Sequence, residues 1–178
     1  MSMSHALLIS LLEKPSSGFE LARRFERSIG YFWHATHQQI YRELGRMEAA
    51  GWIAGQAADD AGRTRKRVYQ VLPAGRAELT RWAGEPTESS LPRDAFTLKM
   101  RAAAVMDELD LRAEVLAYIA LHQARLAEYQ AIEQRDFPDP ARMSRKDRIQ
   151  QLILQRGLMF QRCEIDWAQA LLHALEQP

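Results

Sequence analysis

Between Thr36 and Arg67 a polar-faced helical segment runs straight into a short, strongly cationic hairpin, and few folds accommodate that succession. Counting about 100° per residue from Ile40, the side chains of Ile40, Leu44 and Met47 fall within about 40° of one another and predict a buried face. Gln38, Gln39, Arg42, Gly45, Arg46 and Ala49 point the other way, with no carboxylate at the centre of that face. Such a surface fits a DNA major groove, where Gln pairs with adenine and Arg with guanine. Beyond it, Trp52-Ile53 and Arg67–Val71 predict two short strands around the loop Gly55–Lys66. Arg63-Thr64-Arg65-Lys66-Arg67 places four cations within five residues of that hairpin. A helix followed by a basic β-wing predicts a winged helix-turn-helix. Its candidate DNA contacts are His37, Gln38, Gln39, Arg42 and Arg46 on the helix, with Tyr41 at its flank placed either to close the core or to reach a phosphate, and Arg63, Arg65, Lys66 and Arg67 on the wing.

Charge must act locally here. The chain has 178 residues and a formal net charge of +1, so no global field draws it to a polyanion. Residues 36–81 nonetheless hold eight cations against five carboxylates, and the positive charge falls on the helix face and the wing. Cys163 is alone, which excludes a disulfide framework and a cysteine zinc site. His34 and His37 are spaced three apart, but no cysteine or carboxylate joins them at ligand spacing, so a capping or phosphate-contacting role is expected and no metal. The apolar run Ala6–Leu12 is too short to span a bilayer and has no basic lead-in, so a soluble cytoplasmic protein without membrane association is expected. No glycine-rich phosphate loop, nucleophile elbow or metal cluster appears, which predicts a protein that is not an enzyme and needs no cofactor.

Along the chain, Ala6–Leu12 predicts a short buried helix ending before Pro15. Ser17 with Glu20 forms a capping box for a second helix whose apolar side is Phe19, Leu21, Ala22, Phe25 and Ile29. Thr36 with Gln39 is a second box, and Gly51 ends that helix. Pro73 opens a fourth helix through Leu79 and Trp82. The turn-forming stretch Gly84–Pro92 separates an expected DNA-binding domain, residues 1–83, from helical residues 94–178, with 84–93 as linker. Helical stretches are predicted over 94–107, 111–135 and 145–175. Leu111, Val115, Tyr118, His122, Leu126 and Tyr129 share one face of the second. On the third, Ile149, Ile153, Arg156, Phe160, Cys163, Trp167, Leu171 and Ala174 share another. The fold class is thus mostly α with a small β-wing, an N-terminal winged helix-turn-helix followed by a C-terminal helical dimerisation domain.

These residues resemble the PadR family of bacterial transcriptional regulators. The resemblance rests on Ala6–Leu12, on Pro15-Ser16-Ser17-Gly18-Phe19-Glu20-Leu21, on Gln39-Ile40-Tyr41-Arg42-Glu43-Leu44-Gly45-Arg46-Met47-Glu48 and on Gly51-Trp52-Ile53. The strand-to-helix junction Tyr69-Gln70-Val71-Leu72-Pro73-Ala74-Gly75-Arg76 is similar as well, with Leu72 where the family pattern has a helix-capping Thr. Arg93–Lys99 and the Trp167-bearing last helix are similar to the longer C-terminal domain of the phenolic-acid-responsive branch. The resemblance implies a homodimeric transcriptional regulator acting as a repressor on double-stranded DNA. It also favours a Tyr41 hydroxyl directed at a phosphate, and a small aromatic effector. A two-fold dimer implies a palindromic operator with half-sites about 34–36 Å apart, or a multiple of that. A winged helix that binds protein instead of DNA is the alternative, and the cationic wing argues against it.

The C-terminal stripe carries the remaining expectations. Ile149, Ile153, Phe160, Cys163, Trp167 and Leu171 are read as a dimer seam, with Cys163 a small apolar residue and not a redox sensor. Trp33, Tyr118, His122, Arg156 and Trp167 are candidate effector contacts between head and tail, because they interrupt otherwise apolar faces. The same residues also fit simple packing: Tyr31-Phe32-Trp33 at the junction of the two domains, and His122 and Arg156 as polar residues fixing register in the seam. Both readings stand at this point.

Overall fold

Capping chemistry frames the first half of the protein. The computed structural model describes residues 3–27, 35–57, 67–87, 94–106 and 108–177, and divides into two compact units, Met1–Ser90 and Leu91–Pro178. In the first unit, helix α1 spans Met3–Glu13 and a short strand β1 covers Ser16–Ser17. The Ser17 hydroxyl accepts the Glu20 N–H, and the Glu20 carboxylate accepts the Ser17 N–H at 3.1 Å, which starts α2 at Gly18–Glu26. Thr36 and Gln39 repeat this exchange at the start of α3, His37–Ala49. Gly51 follows with φ of 69°, the left-handed turn that lets the chain leave α3 and enter β2, Ile53–Ala57. Strand β3, Arg67–Val71, then leads into α4, Pro73–Ala83, which begins on Pro73 with no side-chain cap at Leu72.

Three helices and one strand residue close the core. Leu7, Leu8 and Leu11 of α1, Leu21, Ala22 and Phe25 of α2, Ile40, Leu44 and Met47 of α3, and Ile53 are all buried together. Each leucine of that set contributes about 1.5–3 kcal/mol of transfer free energy. Helix α1 is enclosed nearly all round, as expected of an apolar helix at the centre of a unit. The sheet runs in the order β1-β3-β2, fully antiparallel, with Ile53 opposite Val71 and Ala57 opposite Arg67. Strand β1 has only two residues, a length at which sequence has no alternation to reveal it. Its partners are Tyr69 and Val68.

Two readings need correction here. Phe19 was expected on the apolar side of α2, yet it is 57 % exposed. It stands about 200° from Leu21 around the helix, so it cannot share that face. The Arg23 guanidinium covers its ring at 5.7 Å. Strand β2 extends to Ala57, into what the sequence read as loop, while Trp52 precedes it. Ile29 and Tyr31-Phe32-Trp33 lie outside the described residues.

In the second unit, Asp94 caps α5, Ala95–Ala103, through the N–H groups of Phe96 and Thr97. Helix α6 covers Arg112–Asp136 and α7 covers Arg145–Glu176, the latter started by a Ser144–Asp147 capping box. A 3₁₀ turn at Pro140–Arg142 lies between them. Cross-links Tyr118–Glu164, His122–Gln161 and Glu133–Gln155 descend α7 as they ascend α6, so the two helices are antiparallel. Helix α6 uses the predicted face, with Val115, Ile119, His122 and Tyr129 buried.

Helix α7 does not. Its buried residues are Leu158, Gln161, Ile165 and Ala168, a face centred roughly 140° from the stripe read in the sequence. Ile149, Ile153, Arg156, Phe160, Cys163 and Trp167 are exposed in the protomer, and Leu171 is half-buried. The helix carries two apolar faces, and α6 takes the one that includes Gly157, where a Cβ would sit 2.8 Å from the Tyr129 ring. Among the described residues no helix is long and apolar enough to cross a membrane.

Candidate nucleic-acid interface

Packing decides which groups α3 shows to solvent. Ile40, Leu44 and Met47 are anchored in the core, so Gln38, Gln39, Arg42, Gly45, Arg46 and Ala49 are exposed on the opposite side. The two carboxylates of the helix are drawn away from that side. Glu43 accepts from the Ser4 hydroxyl of α1 and from Arg46 at 3.2 Å, and keeps only 13 % of its side chain exposed. Glu48 turns toward the hairpin, where it accepts the Gly55 N–H at 3.1 Å and Arg67 Nη2 at 2.6 Å. What remains outward is cationic and amide in character.

The predicted contacts differ in how free they are. Gln38 and Arg42 are exposed and, among the described residues, make no hydrogen bond or ion pair. Gln39 is engaged as the capping acceptor for the Thr36 N–H at 2.9 Å. Arg46 shares its charge with Glu43, and His37 Nε2 sits 2.8 Å from Glu26 at the end of α2. Tyr41, about half exposed, lies against Gly18, where an added Cβ would meet its ring edge at 2.5 Å. Arg67, paired with Ala57 at the loop end of the β2–β3 ladder, is bound back onto Glu48 and Gly55. Arg63, Arg65, Lys66 and His34 lie outside the described residues.

One positioning residue escaped the sequence reading. Arg24 donates to Ser16 Oγ at 2.5 Å, to the Ser10 carbonyl at 2.6 Å and to the Lys14 carbonyl at 2.8 Å. It ties the end of α1 and Ser16 of β1 to α2, and burial pushes its pKa down. The signal was available: Arg24 stands on the inward side of α2, about 60° from Leu21, where a cation needs several acceptors. A second link joins α1 to α4. His5 stacks on Trp82 with centroids 4.5 Å apart and meets Glu78 at 3.0 Å. The Arg81 guanidinium, and then His5, hold the Glu78 carboxyl down at about 2.

The second unit gathers three of the proposed effector residues. Phe96 stacks on Tyr118 at 4.0 Å, Trp167 stands edge-on to both, and His122 is tilted against Tyr118 at 4.3 Å. Tyr118 donates its hydroxyl to Glu164 at 2.7 Å; burial first, and then that bond, raises its pKa well above the ordinary tyrosine value. His122 is buried with Nδ1 2.6 Å from Gln161 Oε1, an amide partner on α7 of the same protomer. Arg156 is exposed, about 16 Å along α7 from Trp167, and makes no hydrogen bond or ion pair among the described residues. Trp33 lies outside the described residues, and Phe96 joins the cluster without having been singled out. Among the described residues no group of three or more His, Cys, Asp or Glu side chains is arranged to hold a metal ion.

Similarity to known proteins extends over the whole chain. Residues 7–81 match the PadR-like transcriptional regulator family, and residues 92–176 match the C-terminal region of the virulence activator alpha family. The Mycobacterium tuberculosis protein named "Probable transcriptional regulator Rv1176c" is 41 % identical over 187 residues, covering 99 % of each chain. The chain belongs to the PadR-like family of transcriptional regulators. The structure of the Vibrio cholerae virulence activator AphA, 32 % identical, covers 98 % of both chains with a TM-score of 0.81. Bacillus subtilis PadR, named a negative transcriptional regulator, is 23 % identical over 98 % of each chain. Its structure in complex with operator DNA superposes with a TM-score of 0.83 over 98 % of this chain and 99 % of that one. Its complex with p-coumaric acid gives 0.79 at the same coverage. At 22 % identity these last two establish the shared fold. The PadR-like family is one of transcriptional regulators.

Proposed function

We propose that this PadR-like regulator is a homodimeric repressor in the cytoplasm that binds a palindromic DNA operator through α3 and the wing. The observation that carries the reading is the outward face of α3, where Gln38 and Arg42 are exposed with no hydrogen bond or ion pair among the described residues, while Glu43 and Glu48 are turned aside. On this reading Gln38 and Arg42 read base edges. His37, Tyr41, Arg46 and the wing cations Arg63, Arg65 and Lys66 meet phosphates. The negative regulator of B. subtilis supports repression as the outcome. Dimerisation is supported by the exposed stripe of α7, to which Leu152 and Met159 add further uncovered apolar surface. A stripe of that length without a partner is the surface a second copy would cover.

A small aromatic acid is the proposed effector, by analogy with the p-coumaric acid complex of B. subtilis PadR. The stacked rings of Phe96 and Tyr118, with Trp167 edge-on to both, would supply its apolar wall. Release from DNA requires the ligand to prefer the non-binding arrangement, typically by about 1–3 kcal/mol of coupling. The test of DNA binding is its salt dependence. If each subunit neutralises about four phosphates, the log–log slope of affinity against salt is expected near −7 for the dimer. A near-zero slope, or no retention on duplex DNA, would leave the winged unit as a protein-binding module.

A further inference from the structure

Arg67 ends the run of hairpin cations, but its guanidinium is held within the protein. Nη2 donates to Glu48 Oε1 at 2.6 Å and to the Gly55 carbonyl at 3.2 Å, and the guanidinium lies 5.8 Å from the centre of the Tyr69 ring. The same Glu48 oxygen accepts the Gly55 N–H at 3.1 Å. Glu48 belongs to the last turn of α3, Gly55 to the middle of β2, and Tyr69 to β3 directly opposite Gly55. A Cβ on Gly55 would stand 2.9–3.0 Å from three guanidinium atoms, so the bare backbone there forms the slot in which Arg67 lies. One carboxylate oxygen therefore joins the recognition helix to both strands of the hairpin.

We propose that Glu48 and Arg67 are positioning residues that set the angle of the wing to the recognition helix, and that Arg67 acts through this brace and not as a phosphate contact. This rests on the DNA-binding reading above. Exposed ion pairs add little to stability, so the worth of this one lies in geometry. A tilt of the ladder at Gly55 and Arg67 swings the part of the hairpin beyond them through the same angle, and a displacement of a few ångström is enough to lose a phosphate hydrogen bond. With the brace intact, α3 and the wing reach groove and backbone of one duplex together. Without it, only a fraction of wing orientations is competent, and apparent affinity falls by that fraction.

The experiment uses the full chain and a 40-base-pair duplex that the unaltered protein selects from a random pool. Affinity is read by fluorescence anisotropy at temperatures where circular dichroism shows each variant folded. Glu48→Gln makes the protein more positive, yet it is expected to weaken binding about tenfold, as competent orientations drop to about a tenth. Gly55→Ala displaces the guanidinium by an independent route and is expected to give the same loss. Arg67→Glu weakens binding further, and the exchanged pair E48R/R67E restores most of it. If Arg67 instead contacts phosphate, Glu48→Gln binds as tightly as the unaltered protein or more tightly, and E48R/R67E is as weak as Arg67→Glu alone. Either result overturns the brace. Failure of the unaltered protein to select any duplex would refute the DNA-binding reading itself, a separate outcome.

Discussion

Phe160→Ala is expected to loosen the dimer while leaving the protomer folded. Phe160 sits on the outward stripe of α7 with 52 % of its surface exposed. A phenylalanine has roughly 200 Å² to bury, so about 100 Å² remains for a partner. At about 25 cal/mol per Å² that is ~2.5 kcal/mol, reduced to ~2 kcal/mol because the alanine methyl retains some contact. A two-fold interface loses the contribution twice, ~4 kcal/mol in all, or about a thousandfold in dissociation constant. Sedimentation velocity over a concentration series measures the shift. Leu158→Ala is the control, two residues away on the same helix but fully enclosed on the α6 side. It is expected to cost about 2–5 kcal/mol of protomer stability. An unchanged dimer constant for Phe160→Ala, or a thermal loss matching that of Leu158→Ala, would refute the assignment of the stripe to a subunit interface.

Three further outcomes are expected. Arg42→Ala should cost about 1–3 kcal/mol on a selected operator and relax preference at one position per half-site, whereas Arg65→Ala should weaken all sequences alike; parallel binding selections distinguish the two. Gly75→Ala should destabilise the first unit by about 1–3 kcal/mol, because its Cβ would fall 2.3 Å from the Trp52 carbonyl oxygen, a backbone atom with no rotamer to escape into; a denaturant melt reads the cost. The depressed carboxyl of Glu78 stabilises the fold above the ordinary value of 4.5 and loses that effect as pH falls toward about 2, since the unfolded chain takes up its proton first. Glu78→Gln should therefore flatten the acid limb of the stability profile between those values, while an unchanged limb would place the acid sensitivity elsewhere.

Much of the interface was legible because it depends on local rules. Thr36 with Gln39, Ser17 with Glu20, and Pro73 after Leu72 mark helix starts by chemistry acting over a few residues, and the structure has each of them. The inward triad Ile40, Leu44 and Met47 follows from helical period alone, and with it the outward position of Gln38 and Arg42. Partners distant in the chain were not legible. Nothing in the spacing says that Glu43 reaches Ser4, that Glu48 and Arg67 close on one another across 19 residues, or that Arg24 gathers α1 and β1. These pairings arise only once packing brings the elements together, and they decide which cations stay free for another molecule.

Helix α7 divides the two kinds of information most sharply. Its sequence by itself determines a long amphipathic helix, because period and capping act within the helix. Apolar residues lie on two of its faces, and periodicity ranks the stripe from Ile149 to Leu171 as readily as the face of Leu158, Ile165 and Ala168. Only tertiary structure chose between them. The face with Gly157 admits the Tyr129 ring and aligns Gln161 with the buried His122, so close packing and polar satisfaction both favour it against α6. The other face, with Ile149, Ile153 and Phe160, is left exposed in the protomer.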